Sequence, residues 1–258
     1  MRKSIPENLA NTPEARAQLS RPALAAYLLG TVDFEACLAL QQRLVYETSG
    51  RQDGQITLLI CEHLPTITVG RQGSRPDVRL SPRTLASEGL SVRWVNRGGG
   101  SIVHGPGQLA IYPIVPLALL GWTVGDYLSR LQAGIAAALA ELGFQGQTPE
   151  NRWGVWGRTG QIVSLNAAVK NWVTYYGAYV NVSPARRMLT AVYSDSRRRA
   201  VMSSLTIERQ QNVKMTRVRE SLVRRVAEAF DCTRYHLHTS HVLLTPPALT
   251  NVTTARAS

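Results

Sequence analysis

The sequence predicts an α+β fold, a mixed α/β sheet packed against helices within a single domain. Short runs rich in β-branched and aromatic residues recur between Ala25 and Val182, and three longer stretches carry helical periodicity. No internal repeat divides the chain. At 258 residues and 44% hydrophobic composition it is long enough to bury a substantial core without a second unit. The domain is expected over residues 21–245. The polar, patternless residues 1–20 and the Thr-rich tail 246–258 are expected to be disordered.

Taken in order, a strand over Ala25–Val32 leads to Asp33, whose short carboxylate suits a helix N-cap, and the helix runs to about Thr48. Strands are expected at Ile56–Glu62, Thr66–Val69, Val92–Asn96 and Leu109–Val115. Thr123 caps a helix in which Tyr127, Leu128, Leu131, Ile135, Ala138 and Leu139 share one face up to about Leu142. Gly154–Trp156, Gln161–Ala168 and Ala178–Val182 read as strands. A last helix over Val213–Phe230 gathers Leu222, Val226 and Phe230 on its apolar face.

Composition narrows the setting. Three cysteines are too few and too odd a number for a disulfide framework. No apolar run approaches the ~20 residues of a membrane span, and the first six residues lack the apolar core of a signal peptide. A cytoplasmic protein without membrane association is expected. The formal net charge of +12 attracts acidic macromolecules. Nucleic acid fits the sign, but no helix-turn-helix, zinc finger or aromatic-studded sheet accompanies the charge, so it is not expected as a partner. Arg197-Arg198-Arg199 reads either as a solvated loop or as a dock for an acidic carrier.

The most informative stretch is RGGGSIVHGPGQLAIYP, from Arg97 to Pro113. Glycines at 98, 99, 100, 105 and 107 permit the positive φ angles of tight loops and let backbone approach a ligand closely. A minimal hairpin needs only two turn residues. The loop is therefore read as a ligand-gripping one, held between the strands at Val92–Asn96 and Leu109–Val115. His104 has two readings, a hydrogen-bonding or general acid/base group toward a ligand, or a pin for the loop through a backbone hydrogen bond. Arg97 either holds a carboxylate or, the favoured reading, braces Glu62, and Asn181 is expected to serve as a hydrogen-bonding residue at a strand end.

These residues resemble the octanoyltransferases of lipoate synthesis, also called lipoate-protein ligase B, within the biotin/lipoate protein ligase-like fold. The match begins at Glu62-His63-Leu64-Pro65 and Thr68-Val69-Gly70-Arg71. It continues through Arg97-Gly98-Gly99, His104-Gly105-Pro106-Gly107-Gln108 and Gly177-Ala178-Tyr179-Val180-Asn181, and ends beyond Ser204-Leu205. The resemblance implies transfer of an octanoyl chain from acyl carrier protein to a lysine of a lipoyl domain. Lipoyl domains of 2-oxoacid dehydrogenases or the glycine cleavage H protein are the implied acceptors. It calls for no cofactor and no metal.

The resemblance also assigns a site. Arg97, Gly98, Gly99, Gly100, Ser101, Ile102, Val103 and His104 would bind substrate, together with Ser164, Leu165 and Asn166 on one strand and Gly177, Ala178 and Tyr179 on another. The apolar groups between these two strands and the Arg97–His104 loop are expected to define an aliphatic slot, in which each buried methylene contributes about 0.8 kcal/mol. The family's thioester-forming cysteine aligns with Asp195 and its pKa-lowering lysine with Gln161. Tyr176 stands where the family has histidine, and Ile102 and Val103 where it has threonine and an aromatic. A thiolate attacks and leaves readily when a cation depresses its pKa from about 8.5; a carboxylate does neither. Lys170 has the wrong strand parity to replace Gln161. Cys61 is read as a core residue and as the first cysteine to test. Cys232 with His236, His238 and His241 matches no standard zinc spacing. Three readings follow: an octanoyltransferase that transfers by direct attack of the lysine or through a relocated nucleophile, an inactive member that binds an acyl chain or its carrier, and, with least support, a nucleic-acid-binding protein on the same fold.

Overall fold

A computed structural model describes residues 22–150, 152–194, 201–232 and 234–244. The ends expected to be disordered, residues 1–20 and 246–258, lie outside them, as do Asp195 and Arg197-Arg198-Arg199.

Asp33 turns strand into helix. β1 (Leu24–Val32) runs into it, and its carboxylate accepts the Ala36 amide at 3.0 Å, which starts α1 (Phe34–Ser49). β2 (Ile56–His63) sends Ile56, Leu58 and Ile60 to one face and Leu59 and Cys61 to the other. Both faces are covered, which is why this strand is apolar throughout. β3 (Thr66–Val69) follows, then α2 (Pro82–Ser87), β4 (Ser91–Trp94), β5 (Ser101–His104), β6 (Gln108–Ile114) and the short α3 (Leu117–Leu120). Thr123 and Asp126 form a capping box, each side chain accepting the other's amide, and launch α4 (Val124–Glu141). β7 (Gly154–Trp156), β8 (Gln161–Lys170) and β9 (Val173–Asn181) lead to α5 (Arg186–Leu189), α6 (Leu205–Arg209), α7 (Met215–Ala229) and β10 (Tyr235–His238).

Seven strands form one sheet in the order β10-β1-β2-β6-β9-β8-β7, and β4-β3-β5 form a second, smaller one. One face of the large sheet buries Ile56, Leu58 and Ile60 under α4 and α7, where Tyr127, Leu131 and Ile135 meet Leu222, Val226 and Phe230. The other face buries Leu59, Tyr112 and Tyr179 against Phe34, Cys37 and Leu40 of α1. The small sheet packs Ile67, Val69 and Val103 on Ala191 and Val192.

The α+β class and the three long helices agree with the sequence reading. Three differences are local. Ser101–His104, read as part of the glycine loop, is a strand antiparallel to β3, with Thr68 opposite Ile102. β9 begins at Val173, five residues before its expected start at Ala178, because Val173 to Tyr176 pair with the end of β8. β10, exposed along its length, is held by parallel pairing to β1 and has no apolar pattern to announce it.

Candidate active site

The glycine loop closes on a buried guanidinium. Arg97 is fully buried, and its Nη1 donates to the carbonyls of Gly98 at 3.0 Å and Gly100 at 2.9 Å. Its Nη2 donates to the Thr68 carbonyl at 2.9 Å and the Thr68 hydroxyl at 2.7 Å. Burial pulls the Arg97 pKa down from its usual value, while these acceptors hold the charge in place. The turn after β3 lies on the loop, with the amides of Gly70 and Gln72 donating to the carbonyls of Gly100 and Gly99. Gly99 has φ +77°, and a Cβ there would stand 1.7 Å from Asn166 Oδ1. The glycine run is thus a packing requirement as well as a conformational one.

Sequence reasoning placed Glu62 beside Arg97, and the structure corrects this. Glu62 pairs with Arg219 of α7 at 2.6 Å and accepts the Gly107 amide at 2.8 Å. It thereby ties the His-Gly-Pro-Gly turn to α7.

From Arg97 a directed hydrogen-bond chain crosses the site. Arg97 donates to the Thr68 hydroxyl, which donates to His104 Nε2 at 2.8 Å. His104 Nδ1 donates to Gln108 Oε1 at 3.0 Å, and Gln108 Nε2 donates to Val103 O and Asn181 Oδ1, both at 2.9 Å. Both ring nitrogens of His104 are therefore occupied, the ring is fully buried, and desolvation with the nearby His63 and Arg97 keeps its pKa well below the ordinary value. In this geometry His104 pins the loop as a neutral imidazole. Thr68 and Gln108 were given no role in the sequence reading; the signal was their place in the Thr68-Val69-Gly70-Arg71 and His104-Gly105-Pro106-Gly107-Gln108 motifs.

The two strands expected to face the loop across a slot are adjacent in the large sheet. β8 and β9 are hydrogen-bonded neighbours, with Ser164 opposite Tyr179 and Leu165 opposite Ala178, so no space separates them. Leu165 and Ala178 point away from the loop into the α4/α7 core. Ser164, Asn166 and Tyr179 face the loop side, where the Tyr179 ring lies 4.7 Å from that of His104. Gly177 lets β9 approach β6, since a Cβ would lie 2.2 Å from the Ile111 carbonyl. The apolar seam beside the loop lies instead between β5 and the α5 segment, lined by Ile102, Val103, Met188, Val192 and Met202 with Ser101 and Asn181. Its cavity volume is only about 10 Å³, room for about one water. Ser101 Oγ and Asn181 Nδ2 are buried there without hydrogen-bond partners among the described residues, and Ser164 Oγ is likewise unpartnered.

Gln161 opens β8 and is buried; its Nε2 donates to Val163 O at 3.1 Å and its Oε1 accepts from Ser194 Oγ at 3.0 Å. Its backbone pairs with Val201 and Ser203. The residue immediately before Asp195 therefore touches Gln161, while Asp195 itself lies outside the described residues. Lys170 is exposed at the opposite end of β8. Burial raises the Cys232 thiol to about 12, and His238 stacks on Tyr27 with centroids 4.6 Å apart, an aromatic rather than a ligating contact.

A family model for the lipoyl protein ligase A/B catalytic domain matches residues 33–227. An octanoyltransferase of Chloroflexus aurantiacus is 35% identical over 211 residues, 80% of this chain and 94% of that protein. This chain belongs to the octanoyltransferase family. Another family member, from Syntrophobacter fumaroxidans, is 36% identical over 59% of this chain and 67% of its own length. The family fold extends to a bi-partite lipoate protein ligase from Thermoplasma acidophilum, at TM-score 0.67 and 16% identity, covering 86% of this chain and 89% of that one. A lipoate-protein ligase A bound with ATP superposes with TM-score 0.65 at 16% identity over 85% and 90% of the two chains. No helix among the described residues is long and apolar enough to cross a membrane.

Proposed function

We propose that this protein transfers an octanoyl chain from acyl carrier protein to a lipoyl-domain lysine, and does so without a covalent enzyme intermediate. One observation carries the reading beyond family membership. The seam beside the glycine loop is apolar along Ile102, Val103, Met188, Val192 and Met202, and ends in two buried polar atoms without partners, Ser101 Oγ and Asn181 Nδ2. Buried polar groups are ordinarily hydrogen-bonded, so unsatisfied ones beside an apolar channel suit a ligand with a fatty tail and a carbonyl head. Seating the tail requires the α5 segment to move outward. Met188 and Met202, with flexible unbranched side chains, suit that role.

With glutamine and aspartate at the family's reactive positions, the lysine amine attacks the carrier thioester directly. The new C–N bond forms as the C–S bond breaks, and the amine proton passes to the departing thiolate. The Asp195 carboxylate is placed by sequence to relay that proton. Gln161 accepts a hydrogen bond from the hydroxyl of Ser194, the residue that precedes Asp195 in the sequence.

The test is incubation of purified protein with octanoyl carrier protein and a lipoyl domain. Octanoylated lipoyl domain, with no hydroxylamine-sensitive adduct on the enzyme, is expected. A hydroxylamine-sensitive adduct would instead select a relocated cysteine. Saturable carrier binding without any transfer would select the inactive, acyl-binding alternative.

A further inference from the structure

We propose that Cys37, Cys61 and His63 form a zinc site that fastens α1 to the central sheet. Sequence reading expected no metal here, and the site is independent of the acyl-transfer proposal. Cys37 lies on the buried face of α1; Cys61 and His63, two residues apart on β2, share the face opposite it. All three are at most 1% exposed.

The spacing matches the ion. Cys37 Sγ and Cys61 Sγ are 3.9 Å apart, Cys61 Sγ and His63 Nε2 are 3.6 Å apart, and the three ligand atoms lie within 4.8 Å of one another. Tetrahedral zinc, with bonds of about 2.3 Å to sulfur and about 2.0 Å to nitrogen, sets S···S near ~3.8 Å and S···N near ~3.6 Å. An inward movement of Cys37 by roughly an ångström brings the last pair to the same spacing.

The surroundings are those of a metal-bound histidine. His63 Nδ1 is 2.9 Å from the Val32 carbonyl, which can only accept, so the ring proton sits on Nδ1 and the Nε2 lone pair faces the sulfurs. An outer carbonyl that fixes the tautomer in this way is the usual support of a ligating imidazole. The Tyr112 hydroxyl lies 2.7 Å from that Nε2 and donates to it. Zinc takes the place of this hydrogen bond, leaving the phenol oxygen as the nearest fourth donor. Gln41 Nε2 reaches Cys37 Sγ at 3.8 Å, an N–H group aimed at a would-be thiolate.

The charge balance favours a dication. Two thiolates and a neutral imidazole neutralise Zn²⁺, so the closed site carries no net charge into the core. Binding releases the two thiol protons to solvent and involves no change of oxidation state. Glu62, between Cys61 and His63 in sequence, turns to the other face and is engaged with Arg219 and Gly107. It leaves the site to its sulfur and nitrogen donors.

The full-length chain, produced in zinc-supplemented medium and purified under reductant without chelator, is analysed for metal by mass spectrometry. Near-stoichiometric zinc is expected, retained in Cys232→Ala and reduced by about tenfold or more in Cys61→Ala and His63→Ala. If those variants do not fold, cobalt added to the metal-stripped wild-type protein supplies the answer, through a thiolate-to-cobalt charge-transfer band that zinc abolishes. Zinc retained in Cys61→Ala overturns the proposal. So does a wild-type protein with neither zinc nor a cobalt band, or one whose Cys37 and Cys61 are recovered as a disulfide.

Discussion

Gly99 combines a positive φ with a contact that leaves no room for a methyl group. Gly99→Ala should therefore expel the Asn166 side chain and loosen its 3.5 Å contact with Arg97. Adding Asn166→Ala should restore stability to within the ~1 kcal/mol of left-handed backbone strain. Urea unfolding of both variants checks this, and equal destabilisation in the single and double variants would show that the clash is not the cause. Arg97→Met removes the hydrogen bonds to the Gly98, Gly100 and Thr68 carbonyls and the Thr68 hydroxyl, each worth roughly 1–3 kcal/mol where its acceptor is left unpaired, and should lower stability by ~3 kcal/mol in the same assay. The glycine motif drew attention to these residues from sequence alone. Arg97's partners were not legible, because a long side chain reaches whichever acceptors the folded loop presents, and those proved to be Thr68 and the loop's own carbonyls rather than Glu62.

Elements whose signals are local were read well. Asp33 and Thr123 cap their helices at the expected residues because an N-cap is decided within four residues of chain. Thr123→Ala should cost about 1 kcal/mol in thermal or urea unfolding, since the Asp126 amide loses the hydroxyl that accepts it. α4 and α7 are also joined by Glu141, which binds Ser221, Arg224 and Arg225. These partners lower its pKa from 4.5 to about 2, with Arg224 the largest cause. A carboxylate depressed in the folded state stabilises above its unfolded pKa. The stability difference between wild type and Glu141→Gln should therefore be full at neutral pH and fade as pH falls from about 4.5 towards 2. A difference independent of pH over that interval would remove the ion pair from the account. β5 and β10 were missed for the opposite reason. The first is flanked by glycines and the second is exposed, and each exists through pairing with a strand distant in sequence.

At the scale of the molecule, the large sheet carries α1 on one face and α4 with α7 on the other, and the glycine loop bridges it to the small sheet through β3 and β5. Gln161 touches Ser194, the residue immediately before Asp195 in the sequence. Asp195→Cys with Gln161→Lys should then yield an octanoyl adduct released by hydroxylamine, which the wild-type protein lacks. No adduct on the doubly substituted, folded protein would mean that the reactive positions have been misplaced.

Helix caps, strand alternation and the Arg-Gly-Gly and His-Gly-Pro-Gly motifs were set by neighbours a few residues apart, so the amino-acid order alone declared the fold class and the family. The bonds of Arg97 and His104 to Thr68, the seam of β5 against α5 and the meeting of Cys37 with Cys61 and His63 join residues from 24 to more than 80 positions apart. Such contacts depend on how sheets stack and in what register, and no local pattern of side chains encodes them.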